Sequence, residues 1–103
     1  MKIREVYLLR DAAQDLEEGR HFYNEKEDGV GEYFFDSLIS DLESLKFYAG
    51  IHSKKFDFYR ALSKRFPFAI YYEIKKDIVM VVAILDMRRD PAWIREKLKK
   101  VKS

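Results

Sequence analysis

The feature that most constrains the fold is the short apolar run Ile78–Leu85, which reads IVMVVAIL. A strand with one face in water alternates apolar and polar residues, whereas a strand covered on both faces is apolar throughout. A membrane-spanning helix needs about 20 apolar residues, so this run is far too short for one. It predicts a central, covered strand.

Three further segments have the patterns of strands. Residues Phe66–Ile74 alternate after Pro67, which is tolerated only at the start of a strand. A short turn of lysines and aspartate then joins this strand to the central run. The segments Phe56–Ser63 and Ile3–Leu9 are rich in residues that favour strands.

Two helices are predicted between the first strand and the others. Asp11 and Gln14 have the spacing of a capping box at the start of the first helix. The break lies in Asn24–Gly31, and the second helix runs from about Glu32 to Tyr48, with Gly50 as its C-terminal cap. Its apolar residues recur at helical spacing and give the clearest helical signal in the chain.

A last helix is predicted at Asp90–Pro91, because aspartate caps a helix and proline suits its first position. The order is strand, helix, helix, strand, strand, strand, helix. Helices grouped before a run of strands predict an α+β fold, an antiparallel sheet covered by a helical hairpin. No linker divides the chain, so residues 1–103 are expected to form a single domain.

Charge and composition exclude several classes of protein. The net charge of +2 does not by itself indicate a nucleic-acid partner. The absence of cysteine excludes disulfides and thiolate metal sites. The charges in Met1–Glu5 interrupt the apolar stretch that a signal peptide needs. We therefore expect a cytoplasmic protein without a membrane partner.

The segment from Phe66 to Pro91 resembles one known family. Residues Phe66–Ile74, FPFAIYYEI, are similar to the central strand of RelE/ParE toxins, often an aromatic–proline stretch that runs into a tyrosine pair. Ile78–Leu85 resembles the following strand of these toxins, and Arg88–Pro91 resembles the arginine-rich segment that follows that strand in many members. Ala13–Glu18 is similar to the first helix. The chain is identified on these residues as a member of the RelE/ParE superfamily, which includes plasmid stabilisation toxins.

The resemblance implies a type II toxin that inhibits growth and is neutralised by a co-encoded antitoxin protein. RelE-like members cleave mRNA on the ribosome, and ParE-like members poison DNA gyrase and have lost the nuclease residues. An acidic antitoxin segment is expected to cover Arg88, Arg89 and the basic last helix, and to fold as it binds. No cofactor and no metal are implied.

A basic cluster is predicted where three strand ends meet. An antiparallel meander brings Lys64, Arg65, Arg88 and Arg89 to one end of the sheet, where they can bind phosphate or an antitoxin. The alternative is that these cations are only solvated strand ends. The same reasoning predicts that His52, with the two lysines that follow it, lies at the opposite end of the sheet.

The residues fit an RNA-cleaving site incompletely. Catalysis without a metal needs a base, an acid and cations for the phosphate, and only Arg89 and, more weakly, Arg65 match the cations of the nuclease members. Ala69 stands where those members have an arginine, and Asp86 stands where several have a histidine. No tyrosine follows Tyr72.

Two neighbouring tyrosines are open to a binding role. Tyr71 and Tyr72 can stack on bases, but we expect one of the pair to pack under the helices and the other to lie on an open face. Trp93 is expected to anchor the last helix on the sheet.

Three functions are compared on this basis. The first is a ParE-like inhibitor of DNA gyrase and replication, and the second is a RelE-like, ribosome-dependent and metal-independent endoribonuclease that binds mRNA. The third is an inactive member that only binds its antitoxin.

Overall fold

The computed structural model describes residues 2–102, and no helix in that part of the chain is long and apolar enough to cross a membrane. The elements follow the predicted order with one additional strand. They are β1 (Glu5–Leu8), α1 (Arg10–Lys26), α2 (Val30–Tyr48), β2 (Lys54–Lys55), β3 (Phe58–Leu62), β4 (Phe68–Lys75), β5 (Ile78–Asp86) and α3 (Pro91–Lys102).

The five strands form one sheet in the order β1-β5-β4-β3-β2. Strands β2 to β5 are antiparallel neighbours, and β1 runs parallel to β5, with Glu5 opposite Ile78 and Leu8 opposite Val81. The α+β class with its helical hairpin is therefore confirmed, but the sheet is mixed instead of wholly antiparallel. Side-chain alternation gives the faces of a strand and says nothing of the direction of its neighbour, so this pairing was not predictable.

The additional strand is β2, which forms a tight hairpin with β3 that the sequence did not predict. Phe56 and Asp57 have positive φ angles of 55° and 72° and form the two-residue turn between β2 and β3. Such turns usually hold glycine or asparagine, because other residues rarely adopt a positive φ. Here the Phe56 ring is partly buried against the α3 core.

Two hydrophobic cores cover the two faces of the sheet. Helices α1 and α2 pack on one face, where Phe34, Leu38, Ile70, Tyr72 and Val81 are among the buried residues. Helix α3 packs on the other face through Ile94 and Leu98, which lie over Phe58, Ala69, Tyr71 and Leu85. Strand β5 belongs to both cores, as the apolar run predicted, and β4 belongs to both as well, which was not predicted.

The two neighbouring tyrosines lie in different cores. Tyr71 is 1% exposed in the α3 core, and Tyr72 is 0% exposed in the core under the hairpin. The prediction that one of the pair lies on an open face is wrong, because α3 covers the second face. Trp93 packs against the α3 core, which fits its expected role as an anchor.

A bulge in β5 changes which of its residues enter each core. Tyr71 lies opposite Ala83 and Tyr72 lies opposite Val81, so Val82 has no residue across from it. Val82 and Ala83 both join the α3 core, and Ile84 then returns to the core under the hairpin. One extra residue in a strand changes which face its later residues occupy.

The ends of the helices partly match the sequence signals. Asp90 caps α3 by accepting a hydrogen bond from the amide of Ala92 at 2.9 Å, as predicted. The capping box at Asp11 and Gln14 is wrong, because Leu9 precedes α1 and no side chain caps it. Gly50 has a φ of 95° just after α2, the left-handed conformation expected of a glycine there.

Candidate functional site

A groove of about 400 Å³ runs between α1, the end of β5 and the start of α3. Its floor is apolar, and charged side chains stand along both sides. The lining residues are Asp15, Glu18, Gly19, Phe22, Phe68, Ile84, Leu85, Asp86, Arg89 and Trp93.

Asp15 stands at the base of this groove and completes the edge of β5. Strand β1 covers that edge only as far as Val81, whose carbonyl accepts a hydrogen bond from the Leu9 amide at 3.0 Å. Farther along, the Ile84 amide donates to Asp15 Oδ2 at 3.0 Å. A helix carboxylate therefore takes the place of the missing strand, since a buried amide without a partner is costly.

The other carboxylate oxygen faces α3. Asp15 Oδ1 lies 3.9 Å from Lys97 Nζ, a loose ion pair across the groove. Asp15 is only 7% exposed, and burial raises its pKa from 3.8 to about 6, although the Ile84 amide and Lys97 oppose that rise. A carboxyl group with a raised pKa in a cleft is typical of a functional site, because its burial costs stability.

The two sides of the groove carry opposite charges. On the α1 side lie the carboxylates of Asp15 and Glu18. On the α3 side the Arg89 guanidinium stacks on the Trp93 ring at 3.8 Å, and Lys97 lies 5.7 Å from the same ring. The groove is thus suited to a segment that has an apolar face with cations along one side and anions along the other.

The predicted basic cluster forms only in part. The amide of Met87 donates to the carbonyl of Pro67 at 2.8 Å, which brings the loop with Lys64 and Arg65 next to the loop with Arg88 and Arg89. The Lys64 and Arg65 side chains are exposed. Of the four cations, only Arg89 lines the groove.

Arg88 is held in an internal ion pair. Its guanidinium donates to both oxygens of Asp86, the shortest bond being 2.7 Å, and to the hydroxyl of Tyr23 at 3.5 Å. The hydrogen bonds from Arg88 lower the pKa of Asp86, and Asp86 in turn raises the pKa of Arg88. Half of the predicted Arg88–Arg89 pair therefore has its charge compensated within the protein.

A second depression, of about 420 Å³, lies at the opposite edge of the sheet, along β2 and β3. Strand β2 turns back along β3, so that the amide of Arg60 donates to the carbonyl of Ser53 at 3.0 Å. This pairing places His52 near Leu62, and both residues line the depression. The expected position at the far end of the sheet holds for Lys54 and Lys55, which lie opposite Tyr59 and Phe58 at the start of β3, but it is wrong for His52, which lies farther along β3 toward Leu62. The lining residues are His52, Ser53, Lys54, Lys55, Arg60 and Leu62.

The chemistry of this depression is basic and includes one titratable ring. His52 Nδ1 is hydrogen-bonded to the Tyr72 hydroxyl, which also accepts from the Gly50 amide at 2.9 Å. Burial lowers the pKa of His52, so its ring is neutral near pH 7. Burial raises the pKa of Tyr72, which keeps its hydroxyl protonated.

The groove was missed in the sequence, although α1 contains a signal for it. Ala12, Leu16 and Gly19 form the buried stripe of α1, and Asp15 lies on the same stripe at helical spacing. An acidic residue among buried helical positions indicates a carboxylate that must have a partner inside the fold. The identity of that partner, an amide of β5, depends on the end of β1.

Comparisons with known proteins point to one family. Residues 6–91 match the family described as "ParE toxin of type II toxin-antitoxin system, parDE". A solved structure titled "Chromosomal ParDE TA system from P. aeruginosa" has a similar fold, with a TM-score of 0.71 at 16% identity over 80% of this chain and 94% of that one. No curated protein sequence matches the chain.

Replacing Asp15 by asparagine is expected to stabilise the protein at neutral pH. The folded-state pKa of about 6 exceeds the ordinary 3.8, so the wild type binds more protons when folded and loses stability as pH rises from about 4 to 6. Asparagine keeps an acceptor for the Ile84 amide without the charge. The gain should be near zero at pH 4 and about 2 to 3 kcal/mol at pH 7.

Urea unfolding at both pH values measures this difference, and Glu25→Gln, which removes an exposed charge of the same helix that does not act on Asp15, serves as the control. If Asp15→Asn were less stable than the wild type at pH 7, the charged form of Asp15 would be a net stabiliser.

Proposed function

The chain belongs to the ParE toxin family of type II toxin–antitoxin systems, and from this membership we propose that it inhibits DNA gyrase and so arrests replication and growth. The toxin would act in the cytoplasm, where gyrase works, and an antitoxin encoded beside it would neutralise it. Such a toxin would stabilise a plasmid because only cells that keep the toxin–antitoxin pair would continue to grow.

The observation that carries this proposal is the state of two positions that nuclease relatives use. Ala69 is completely buried in the α3 core, so it presents no functional group to a ligand. Asp86 is paired with Arg88, which keeps its carboxylate ionised and unsuited to protonate a leaving group near neutral pH. Both support a toxin that acts by binding a protein.

The groove between α1 and α3 is the proposed antitoxin site. It combines an apolar floor with Arg89 on one side and Asp15 and Glu18 on the other. An acidic antitoxin segment, as the sequence suggested, would be attracted to Arg89 but repelled by Asp15 and Glu18 of α1. We propose instead an amphipathic segment whose acids face Arg89 and Lys97 and whose cations face α1.

The gyrase assignment predicts a direct effect on DNA topology. Purified toxin at several-fold molar excess should inhibit supercoiling by gyrase and accumulate cleaved DNA, and the cognate antitoxin should reverse both effects. Agarose-gel assays of relaxed plasmid measure them. Unchanged supercoiling without cleaved DNA would reject gyrase as the target, and growth unaffected by induction without the antitoxin would favour an inactive member.

The antitoxin site predicts a strong dependence on Arg89. Arg89→Glu reverses a charge on one side of the groove and should weaken antitoxin binding by at least about tenfold, the loss expected when one member of a charge pair that the antitoxin buries is reversed. Arg95→Glu is the matched control, because it makes the same change on α3 but lies over Phe56, outside the groove. Titration calorimetry with the antitoxin compares the two. Equal affinity for the wild type and Arg89→Glu would place the antitoxin elsewhere.

A second candidate function is ribosome-dependent cleavage of mRNA, and the depression around His52 favours it. Its neutral imidazole can take a proton, and Lys54, Lys55 and Arg60 supply cations for a phosphate. If the protein is a nuclease, we propose that its site lies beside β2. The sequence predicted instead that Arg65 and Arg89 are the catalytic cations, and these two residues remain the alternative phosphate contact.

Primer extension on mRNA from induced cells separates the two functions. We expect no new 5′ ends inside coding regions, because the toxin would act on gyrase. Cuts that disappear in His52→Ala would assign the nuclease function to the depression. Cuts that persist in His52→Ala but disappear in Arg89→Ala would assign it to the loops with Arg65 and Arg89.

A further inference from the structure

Three large apolar side chains lie exposed together at the C-terminal end of α2. Phe47 is 82% exposed, Tyr48 is 55% exposed and Ile51, which follows the helix, is 73% exposed. The amide of Ile51 donates to the carbonyl of Tyr48 at 3.2 Å, so the last turn holds these residues close together. Phe47, Tyr48 and Ile51 are called the α2-end patch below. Adjacent exposed apolar residues of this size are typical of a protein-binding surface.

The α2-end patch is separate from the groove. No residue of α2 is among those that line the groove. Phe34, near the start of α2, contacts Phe68, which lines the groove, with a ring separation of 4.8 Å. The helix rises by 1.5 Å per residue, so Tyr48 lies about 20 Å along the helix from that contact. A segment seated in the groove therefore leaves the patch accessible.

Lysines outnumber acidic residues around the patch. From Glu43 to Lys55 the chain carries three lysines, Lys46, Lys54 and Lys55, against one acidic residue, Glu43, which lies one helical turn before Phe47. Gly50 lies beside the Ile74 side chain, which brings the turn that contains Lys76 to the same end of the molecule. The fitting partner is a protein surface with an apolar pocket surrounded by carboxylates. A second copy fits poorly, because two-fold packing would place these lysines against each other.

We infer that the α2-end patch is the surface through which this toxin holds its protein target, with Phe47 and Ile51 inserted into an apolar pocket and Lys46 facing acidic residues. The inference rests on the proposed function in that the target is taken to be gyrase. It adds that target and antitoxin contact different surfaces, so the groove can be occupied while the patch still binds.

The test uses Phe47→Ser with Ile51→Ser, two exposed positions whose replacement leaves both cores intact. Tyr7→Ser, an exposed aromatic residue of β1, is the matched control. Surface plasmon resonance on immobilised gyrase and growth after induction are the two measurements. The double variant should bind gyrase at least tenfold more weakly and fail to arrest growth. The affinity of Tyr7→Ser for gyrase, and the affinity of the double variant for the antitoxin, should stay within about threefold of the wild type. Lys46→Glu should weaken gyrase binding most at low salt.

The outcomes separate this inference from the gyrase proposal. If the wild type inhibits gyrase and the double variant does so equally well, the patch assignment is overturned. If the wild type arrests growth without binding gyrase, gyrase is rejected as the target. In that case, loss of growth arrest in the double variant still supports the patch assignment, and retained growth arrest overturns the patch assignment. A patch variant that loses only antitoxin binding, or only self-association in analytical ultracentrifugation, would also overturn it. A wild type that neither arrests growth nor binds gyrase would overturn both proposals.

Discussion

Strand β5 is covered on both faces and on both edges, and the other elements are placed by how they cover it. Its apolar side chains alternate between the core under the helical hairpin and the core under α3. The bulge at Val82 keeps that alternation compatible with the hairpin to β4. Beyond the end of β1 the uncovered edge is completed by Asp15. The groove therefore exists because β1 is shorter than β5, and a carboxylate lies in it because the amide of Ile84 needs a partner.

Charge compensation within the protein shapes the candidate site as strongly as charge itself. Arg88 is paired with Asp86, whereas Arg89 stacks on Trp93 and faces the groove. Neighbouring cations in the sequence thus have different roles, and only one of them is available to a partner in the groove. Asp15 has the opposite character, because its burial raises its pKa and makes the groove sensitive to pH near 6. A partner cation placed close to Asp15 would favour the ionised form.

The same fold hosts two activities in the superfamily, so the residues at particular positions decide between them. Ala69 and Asp86 support the loss of a nuclease site beside α3, and the α2-end patch supplies a surface suited to a protein target. The hairpin of β2 and β3 brings His52 into a basic depression, which is why cleavage of RNA stays the second candidate. The separation of the groove from the patch would let an antitoxin bind the toxin before it has left its target.

The sequence by itself determined the class of fold, the order of its elements, the covered central strand and the second helix, because periodicity and caps depend on neighbouring residues. It also placed the loops of Arg65 and Arg89 together, since an antiparallel meander fixes which strand ends meet. It missed the two-residue turn at Phe56 and Asp57, whose positive φ angles lack the usual glycine, and this error misplaced His52. Only the tertiary structure decided that β1 is parallel to β5, that α3 covers the second face, that Asp15 binds the Ile84 amide and that Arg88 is paired with Asp86. The first three depend on an edge or a face that residues distant in sequence bring together, and no local pattern specifies which of them will meet. The Arg88–Asp86 pair is local, but it depends on the conformation of the loop after β5.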